Sequence, residues 1–327
     1  MSSTKNRATH RKNRHARTDQ AQRPPRHRAA HRRALRREAP TVVALLLDGE
    51  DFAALTDHRT FAFDNYAQYL HAVDAFLRHL HAQGHHIAVT LFDPDAYADY
   101  CTTTRQPPDS ATTRTHYTAE ATAAGPSVTY TSQSLTLLRA QLAHEADRRA
   151  TWESATDALT RAGTCPDCGQ DLAHCAFDRA SDTLLRLIET VGPGTHHVVC
   201  SLPADDGPLL AAVHVHADTD DTIELAENDA LVLCTVMAAS TATGRTGGVV
   251  LRTTHDDERP DTVRGWSLRD GHLHPLTEAE VFNAYCTDAA TGDPVPPEHG
   301  VVYRAGLPLP PPPIDHIGPI GPFGPLA

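Results

Sequence analysis

The chain has 327 residues, a formal net charge of −12, and 40% hydrophobic but only 6% aromatic residues. That composition suits a soluble α/β protein of one large domain or two small ones. No apolar run approaches the ~20 residues needed to span a bilayer. Seven cysteines, an odd number with no secretory leader, point to a reducing cytoplasm rather than a disulfide framework.

The charge is divided sharply along the chain. Residues 1–40 carry thirteen Lys and Arg against Asp19 and Glu38, a net +11, which leaves −23 on the remainder. With Pro24-Pro25 and almost no large apolar side chain, this segment cannot offset chain entropy and is expected to be a disordered basic arm. Eleven of its thirteen cations are arginine, whose guanidinium fork matches phosphate oxygens. The expected partner is DNA or RNA, contacted through Arg11, Lys12, Arg14, Arg17, Arg26, Arg28, Arg32, Arg33, Arg36 and Arg37. No aromatic residue interleaves with them, so base stacking is not expected. The alternatives are an arm lying on its own acidic body and a solvated leader.

After the arm, Thr41 to Leu47 reads as a strand buried on both faces and closed by Asp48-Gly49. Asp64 is expected to cap a helix with Tyr66, Tyr69, Leu70, Val73, Phe76, Leu77 and Leu80 at helical spacing, ended by Gly84. Ile87 to Phe92 is the next strand, closed by Asp93-Pro94. Strand, helix, strand in that order predicts a right-handed crossover and a parallel pair over 41–132, with a short strand near Val128 to Thr131. Ligands bind beyond the carboxyl ends of such strands. Asp48, Glu50 and Asp51 after the first strand, and Asp93 and Asp95 after the second, would converge at one edge if the strands are neighbours, and are therefore candidates to hold Mg²⁺ or Mn²⁺.

The run Leu-Leu-Leu-Asp48-Gly49-Glu50-Asp51 resembles the first motif of NYN/PIN-type nucleases, in which an aspartate closes strand one before Gly-Glu-Asn. The resemblance covers under ten residues, and Asp51 stands in place of the asparagine. It implies a metal-dependent nuclease with Asp48 as a metal-binding carboxylate, joined by Asp93. Asp205 of Cys200-Ser201-Leu-Pro-Ala-Asp205-Asp206 would stand for the family's Ser-Gly-Asp strand end.

Residues 133–192 are read as a helical hairpin, with one helix from Ser134 to Ala162 and another from about Phe177 to Val191. Between them lies Cys165-Pro-Asp-Cys168-Gly, followed closely by His174 and Cys175. Two cysteines three residues apart around a tight turn aim both sulfurs at one point, and His174 and Cys175 extend the ligand set to four. The spacing points to a structural Zn²⁺ on Cys165, Cys168, His174 and Cys175, clipping the hairpin. Cys101 and Cys200 are more distant candidates for a fourth ligand. A thioredoxin-like redox Cys-x-x-Cys would follow a strand and open a helix, whereas this one follows a helical pattern.

Over 193–305 strands are expected at His196 to Leu202, Leu209 to His216, Gly248 to Thr253 and Val263 to Leu268. Glu227 to Ala239 reads as helix or buried strand, and Thr277 opens a final helix through Val281, Phe282 and Tyr285. His214-Val-His216-Ala-Asp218 places two histidines on one strand face and resembles the His-x-His-x-Asp of metallo-β-lactamase-fold hydrolases, with Thr219 where the next histidine belongs. His272 and His274 form a second such pair. Residues 306–327 carry Pro308, Pro310 to Pro313, Pro319, Pro322 and Pro325, and are expected to be a disordered, Pro-rich tail.

The expected fold is α/β, a mixed and largely parallel sheet flanked by helices, with a zinc-clipped helical hairpin and disordered termini. The expected role is non-catalytic or accessory work on nucleic acid. A metal-dependent nuclease and a protein-interaction module are the alternatives. No phosphate loop or nucleophile elbow is present.

Overall fold

Connection length sorts the strands of this chain into two sheets. The computed structural model describes residues 40–310 apart from 167, 206, 221, 256–258 and 289–290. The basic arm expected over 1–40 lies outside the described residues except for Pro40, as does 311–327. Two compact units emerge, one ending at 123 and including 128–135, the other formed by 124–127 and 136 onward. The described residues contain eight helices and ten strands.

The first unit holds β1 (Thr41–Leu45), α1 (Gly49–Leu55), α2 (Tyr66–Ala82), β2 (Ile87–Leu91), α3 (Pro94–Thr104), α4 (Ala111–Ala124) and β3 (Ser127–Thr129). Its sheet runs β1-β2-β3. β1 and β2 are parallel, with Thr41 opposite Ile87 and Leu45 opposite Leu91, as strand–helix–strand order requires. α2 lays Tyr69, Val73 and Leu77 into the core. Its cap is Asn65 rather than Asp64, the side chain accepting from the Gln68 N–H at 2.9 Å.

α5 (Leu135–Thr160) and α6 (Leu172–Val191) precede the second sheet. That sheet is built from β4 (Gly194–Leu202), β5 (Leu209–Ala217), β6 (Ile223–Leu225), β7 (Gly247–Thr254), β8 (Asp261–Arg269), β9 (His272–Pro275) and β10 (Val301–Arg304). α7 (Glu227–Thr243) and α8 (Glu278–Tyr285) complete the element set. The strand order is β10-β8-β7-β4-β5-β6, with β9 also on β8. Only β10 and β8 are parallel here; the other pairings are antiparallel. The largely parallel sheet expected from the sequence is therefore corrected. The connections 203–208 and 255–260 are too short for a parallel crossover, which takes a dozen residues or more, and hairpins result.

β5 shows the alternation of a sheet with one covered face. Leu209, Ala211, Val213 and Val215 are buried, whereas Leu210, His214 and His216 are exposed. α7 crosses the covered face with every residue from Val232 to Ser240 buried, so no helical period shows in its sequence. Leu184, Leu187 and Ile188 of α6 fill the same core as Val198, Leu251 and Trp266. The hairpin expectation is recast by this packing. α6 packs chiefly on α7, while Ala155 and Leu159 of α5 join the shared core, so α5 and α6 are not a self-contained pair. On the opposite face α8, opened by a Thr277–Glu280 capping box, brings Val281 against Val263 and Tyr303.

β8 shares one edge between two short strands: Asp261–Arg264 pair with β10, and Trp266–Arg269 with β9. Gly306 passes through the gap between them, its N–H donating to Leu276 O at 2.9 Å. The buried Trp266 donates from Nε1 to Leu307 O at 2.8 Å, and Arg186 donates to Pro310 O at 2.7 Å. Leu307 and Leu309 pack on the main core, so the chain is fixed through 310. Among the described residues, no helix is long and apolar enough to cross a membrane.

Candidate metal centre

α5 ends at a glycine in the left-handed region, Gly163 with φ of 76°, where a side chain would be strained. The chain then doubles back. Thr164 and Asp171 form an antiparallel bridge, and the Leu172 N–H donates to Gly163 O at 3.0 Å. Within the loop the Cys165 N–H donates to Gln170 O at 2.7 Å and the Gly169 N–H to Cys165 O at 2.9 Å. Gly169 holds a φ of 71°, which is why a glycine follows Cys168. Asp171 caps α6 through the Ala173 N–H at 2.8 Å, which places Cys175 in the first helical turn.

The result is a convergence of three thiols. The sulfurs of Cys165, Cys168 and Cys175 lie within 4.8 Å of one another, and Cys168 and Cys175 are 3.2 Å apart. Zn–S bonds of 2.3 Å at tetrahedral angles set sulfurs about 3.8 Å apart, so the triad would receive such an ion with sub-ångström adjustment. Cys165 is buried and Cys168 exposed, leaving the cluster open on one side. The Cys175 thiol is pushed up to about 12, first by its hydrogen bond with Cys168, then by burial, then by Cys165. Three thiolates cannot share this space without a cation, and a bound cation reverses that preference.

Of the four expected ligands, the structure brings together three. His174 turns its Nε2 toward Asp178, 3.4 Å away along α6, and is outside the thiol triad. Adjacent residues on a helix point about 100° apart, so the turn that aims Cys175 inward aims His174 outward. Cys200 is a fully buried core residue of β4 whose thiol is pushed up to about 12 by burial. Cys101 is a buried residue of α3 in the first unit.

The carboxylates were expected in strand-end loops. Instead, Asp48 is the cap of α1, accepting from Glu50 and Asp51 N–H at 2.9 Å each. Asp93 caps α3, accepting from Asp95 N–H at 2.9 Å and Ala96 N–H at 3.0 Å. Because β1 and β2 are parallel neighbours, both caps stand at one sheet edge. The Asp51 carboxyl is raised, first by burial, then by the negative charge of Asp48, with smaller contributions from Asp93 and Asp95.

Three tyrosines fasten this edge, of which Tyr66 and Tyr69 were read from the sequence only as apolar helix positions and Tyr117 was not singled out. Tyr66 Oη donates to Leu47 O at 2.5 Å, Tyr69 Oη accepts from the Leu46 N–H at 3.1 Å, and Tyr117 Oη donates to Asp93 O at 3.2 Å. Asp205 belongs to the second unit, where it is 88% exposed and pairs with Arg245 at 2.5 Å. Among the described residues, the only trio of His, Cys, Asp or Glu ligands close enough for one ion is the thiol triad.

His214 stacks flat on His197 across the strands, with ring centroids 4.3 Å apart. His216 bonds Thr195 and faces Asp218. The nucleic-acid contacts expected at Arg11, Lys12, Arg14, Arg17, Arg26, Arg28, Arg32, Arg33, Arg36 and Arg37 lie outside the described residues.

A family model described as a domain of unknown function (DUF8829) matches residues 30–133. Its limit at 133 falls beside that of the first unit at 135, and it leaves the thiol triad outside. No curated protein and no solved structure matches the chain.

Proposed function

We propose that this is a non-catalytic, nucleic-acid-associated protein of the cytoplasm, in which the arm over 1–40 supplies affinity and a zinc ion on Cys165, Cys168 and Cys175 fixes the start of α6. The charge division carries the reading. A segment at +11 on a chain otherwise at −23 draws polyanions to one end of the sequence while the rest repels them. A thiol-only donor set suits a structural ion, and a water would complete its tetrahedron. None of the seven cysteines is joined in a disulfide, the state that a reducing compartment maintains.

Deleting residues 1–38 tests this. Affinity for a DNA or RNA duplex should drop sharply, and the dependence of log K on log salt should flatten by about 0.9 for each phosphate no longer neutralised. Equal affinity and equal slope with and without the arm would refute the assignment.

A second reading rests on one observation, the placement of Asp48 and Asp93 at neighbouring parallel strand ends beside the protonation-prone Asp51. It makes the first unit a Mg²⁺- or Mn²⁺-dependent nuclease. Alanine substitutions would confound its test by removing helix caps. Asp48→Asn and Asp93→Asn keep a capping oxygen while removing the charge, so loss of nuclease activity with unchanged stability would support it.

A further inference from the structure

The three sulfurs of the triad are not equivalent toward an oxidant. Cys168 Sγ and Cys175 Sγ are 3.2 Å apart, and a disulfide bond is about 2.0 Å long, so roughly 1.2 Å of approach joins them. Cys168 is exposed and Cys175 half-buried, whereas Cys165 is 4% exposed. Cys165 is also held by its own backbone, its N–H donating to Gln170 O at 2.7 Å and its carbonyl accepting from the Gly169 N–H at 2.9 Å. The four cysteines outside this loop (Cys101, Cys200, Cys234 and Cys286) are all buried, so an oxidant in water meets the triad first.

The pair stands apart from the core as well. Neither Cys168 nor Cys175 belongs to the cluster that Ala176, Ala180 and Leu184 join farther along α6, so the two sulfurs close on each other without repacking it. A seven-residue separation with a left-handed glycine between them, Gly169, gives the loop the turn that this closure needs.

We propose that Cys168 and Cys175 form a peroxide-sensitive pair whose oxidation to a disulfide empties the metal site, a step that rests on the zinc assignment above. The Cys168 thiolate attacks one oxygen of hydrogen peroxide; the S–O bond forms, the O–O bond breaks and hydroxide leaves. The Cys175 thiolate then attacks the sulfenic sulfur; the S–S bond forms, the S–O bond breaks and a second hydroxide leaves. The two sulfurs give up two electrons and the peroxide takes both, and two solvent protons convert the hydroxides to water. No electron passes through the metal. Cys165 alone remains of three donors, too few for a structural ion. A dithiol reductant reverses the change by exchange, so a reducing compartment keeps the loaded state at rest.

The test treats full-length, zinc-loaded protein with hydrogen peroxide in the presence of a chromogenic zinc chelator. One zinc should be released for each peroxide consumed, the chain should become lighter by two hydrogens, and peptide mapping should join Cys168 to Cys175. Tryptophan emission should stay native, and dithiothreitol with added zinc should restore the full metal content. Cys286→Ala, outside the triad, should release zinc at the wild-type rate. Zinc retained after oxidation, zinc lost without a disulfide, a disulfide that includes Cys165, or slowed release in Cys286→Ala would each overturn the proposal. Protein that takes up no zinc would overturn the zinc assignment and this proposal with it. The two failures are told apart by metal content before peroxide is added.

Discussion

Gly306→Ala is a one-methyl test of how the second unit is closed. A Cβ at 306 would lie 3.0 Å from Pro275 Cα and 3.1 Å from Trp266 Nε1, and nearer still to the Gly265 carbonyl oxygen. Pro275 and Gly265 present backbone atoms held in the sheet, so no rotamer change relieves the overlap. The segment itself must move. It then strains or loses the Gly306 N–H bond to Leu276 O and the Trp266 bond to Leu307 O, both under 3 Å. Overpacking of this kind costs about 1–3 kcal/mol, and each lost hydrogen bond about 0.5–1.5 kcal/mol. The expected destabilisation is therefore roughly 2–6 kcal/mol. Trp266 is fully buried and one of only two tryptophans, so its emission in a Trp152→Phe background reports urea unfolding at the perturbed site. Gly300→Ala is the control. Its Cβ meets open space, and only the φ of 78° resists it, at about 1–2 kcal/mol. A Gly306→Ala midpoint no lower than that of Gly300→Ala, with native emission, would refute the close approach.

Purified protein should carry close to one equivalent of zinc. Cys165→Ser with Cys168→Ser should abolish it and loosen the start of α6, as read by metal analysis and amide exchange over 164–176; a metal-free wild type with three titratable thiols at this loop would end the idea. His196 is fully buried, its Nε2 against Gly192 O and Nδ1 against Thr253, and burial lowers its pKa below 6.5. The unfolded chain then binds a proton that the native state refuses. Stability should hold above pH 6.5 and fall below it, by up to about 1.4 kcal/mol per pH unit, until the folded imidazole titrates; His196→Gln should reduce that slope, and an unchanged slope would count against the assignment. Leu187→Ala, at a fully buried position between α6 and the sheet, should cost about 2–5 kcal/mol in chemical denaturation. Asp48→Ala and Asp93→Ala should each cost about 0.5–2 kcal/mol through lost caps, and the Asn variants much less.

Elements whose pattern is local were legible in the sequence. The β1–α2–β2 unit followed from apolar periods and stop signals, and the thiol convergence followed from a turn that needs Gly169. Two helix starts were present but read as loops. Asp48 with Glu50, Asp51, Phe52 and Leu55 behind it, and Asp93 with Pro94 at the first helical position, are both capping signatures. Their carboxylates suggested metal ligands because the same residue type serves both purposes. Strand direction was harder. In β5 the exposed His214 and His216 are the polar half of a two-residue alternation, the mark of a one-faced antiparallel strand, yet that spacing also suits chelation. α7 carried no period at all, since both its faces are buried. The closure at Gly306 depends on backbone atoms of residues 265 and 275, which no local pattern reveals.

The way the larger sheet ends has a consequence for colloidal behaviour. On one side its outermost strand is β6, three residues long; on the other, β9 and β10 hold four residues each and interrupt one another along β8. An incoming β-strand needs a continuous row of unpaired amides and carbonyls; the β8 side presents none of useful length, whereas β6 pairs only Val215–Ala217 of β5 and leaves Leu209–His214 without a neighbouring strand on that side among the described residues. At high concentration, then, strand addition to this sheet should be confined to the β5 side. Shortening either four-residue strand would uncover β8, whose nine residues form the long template that the pair now divides.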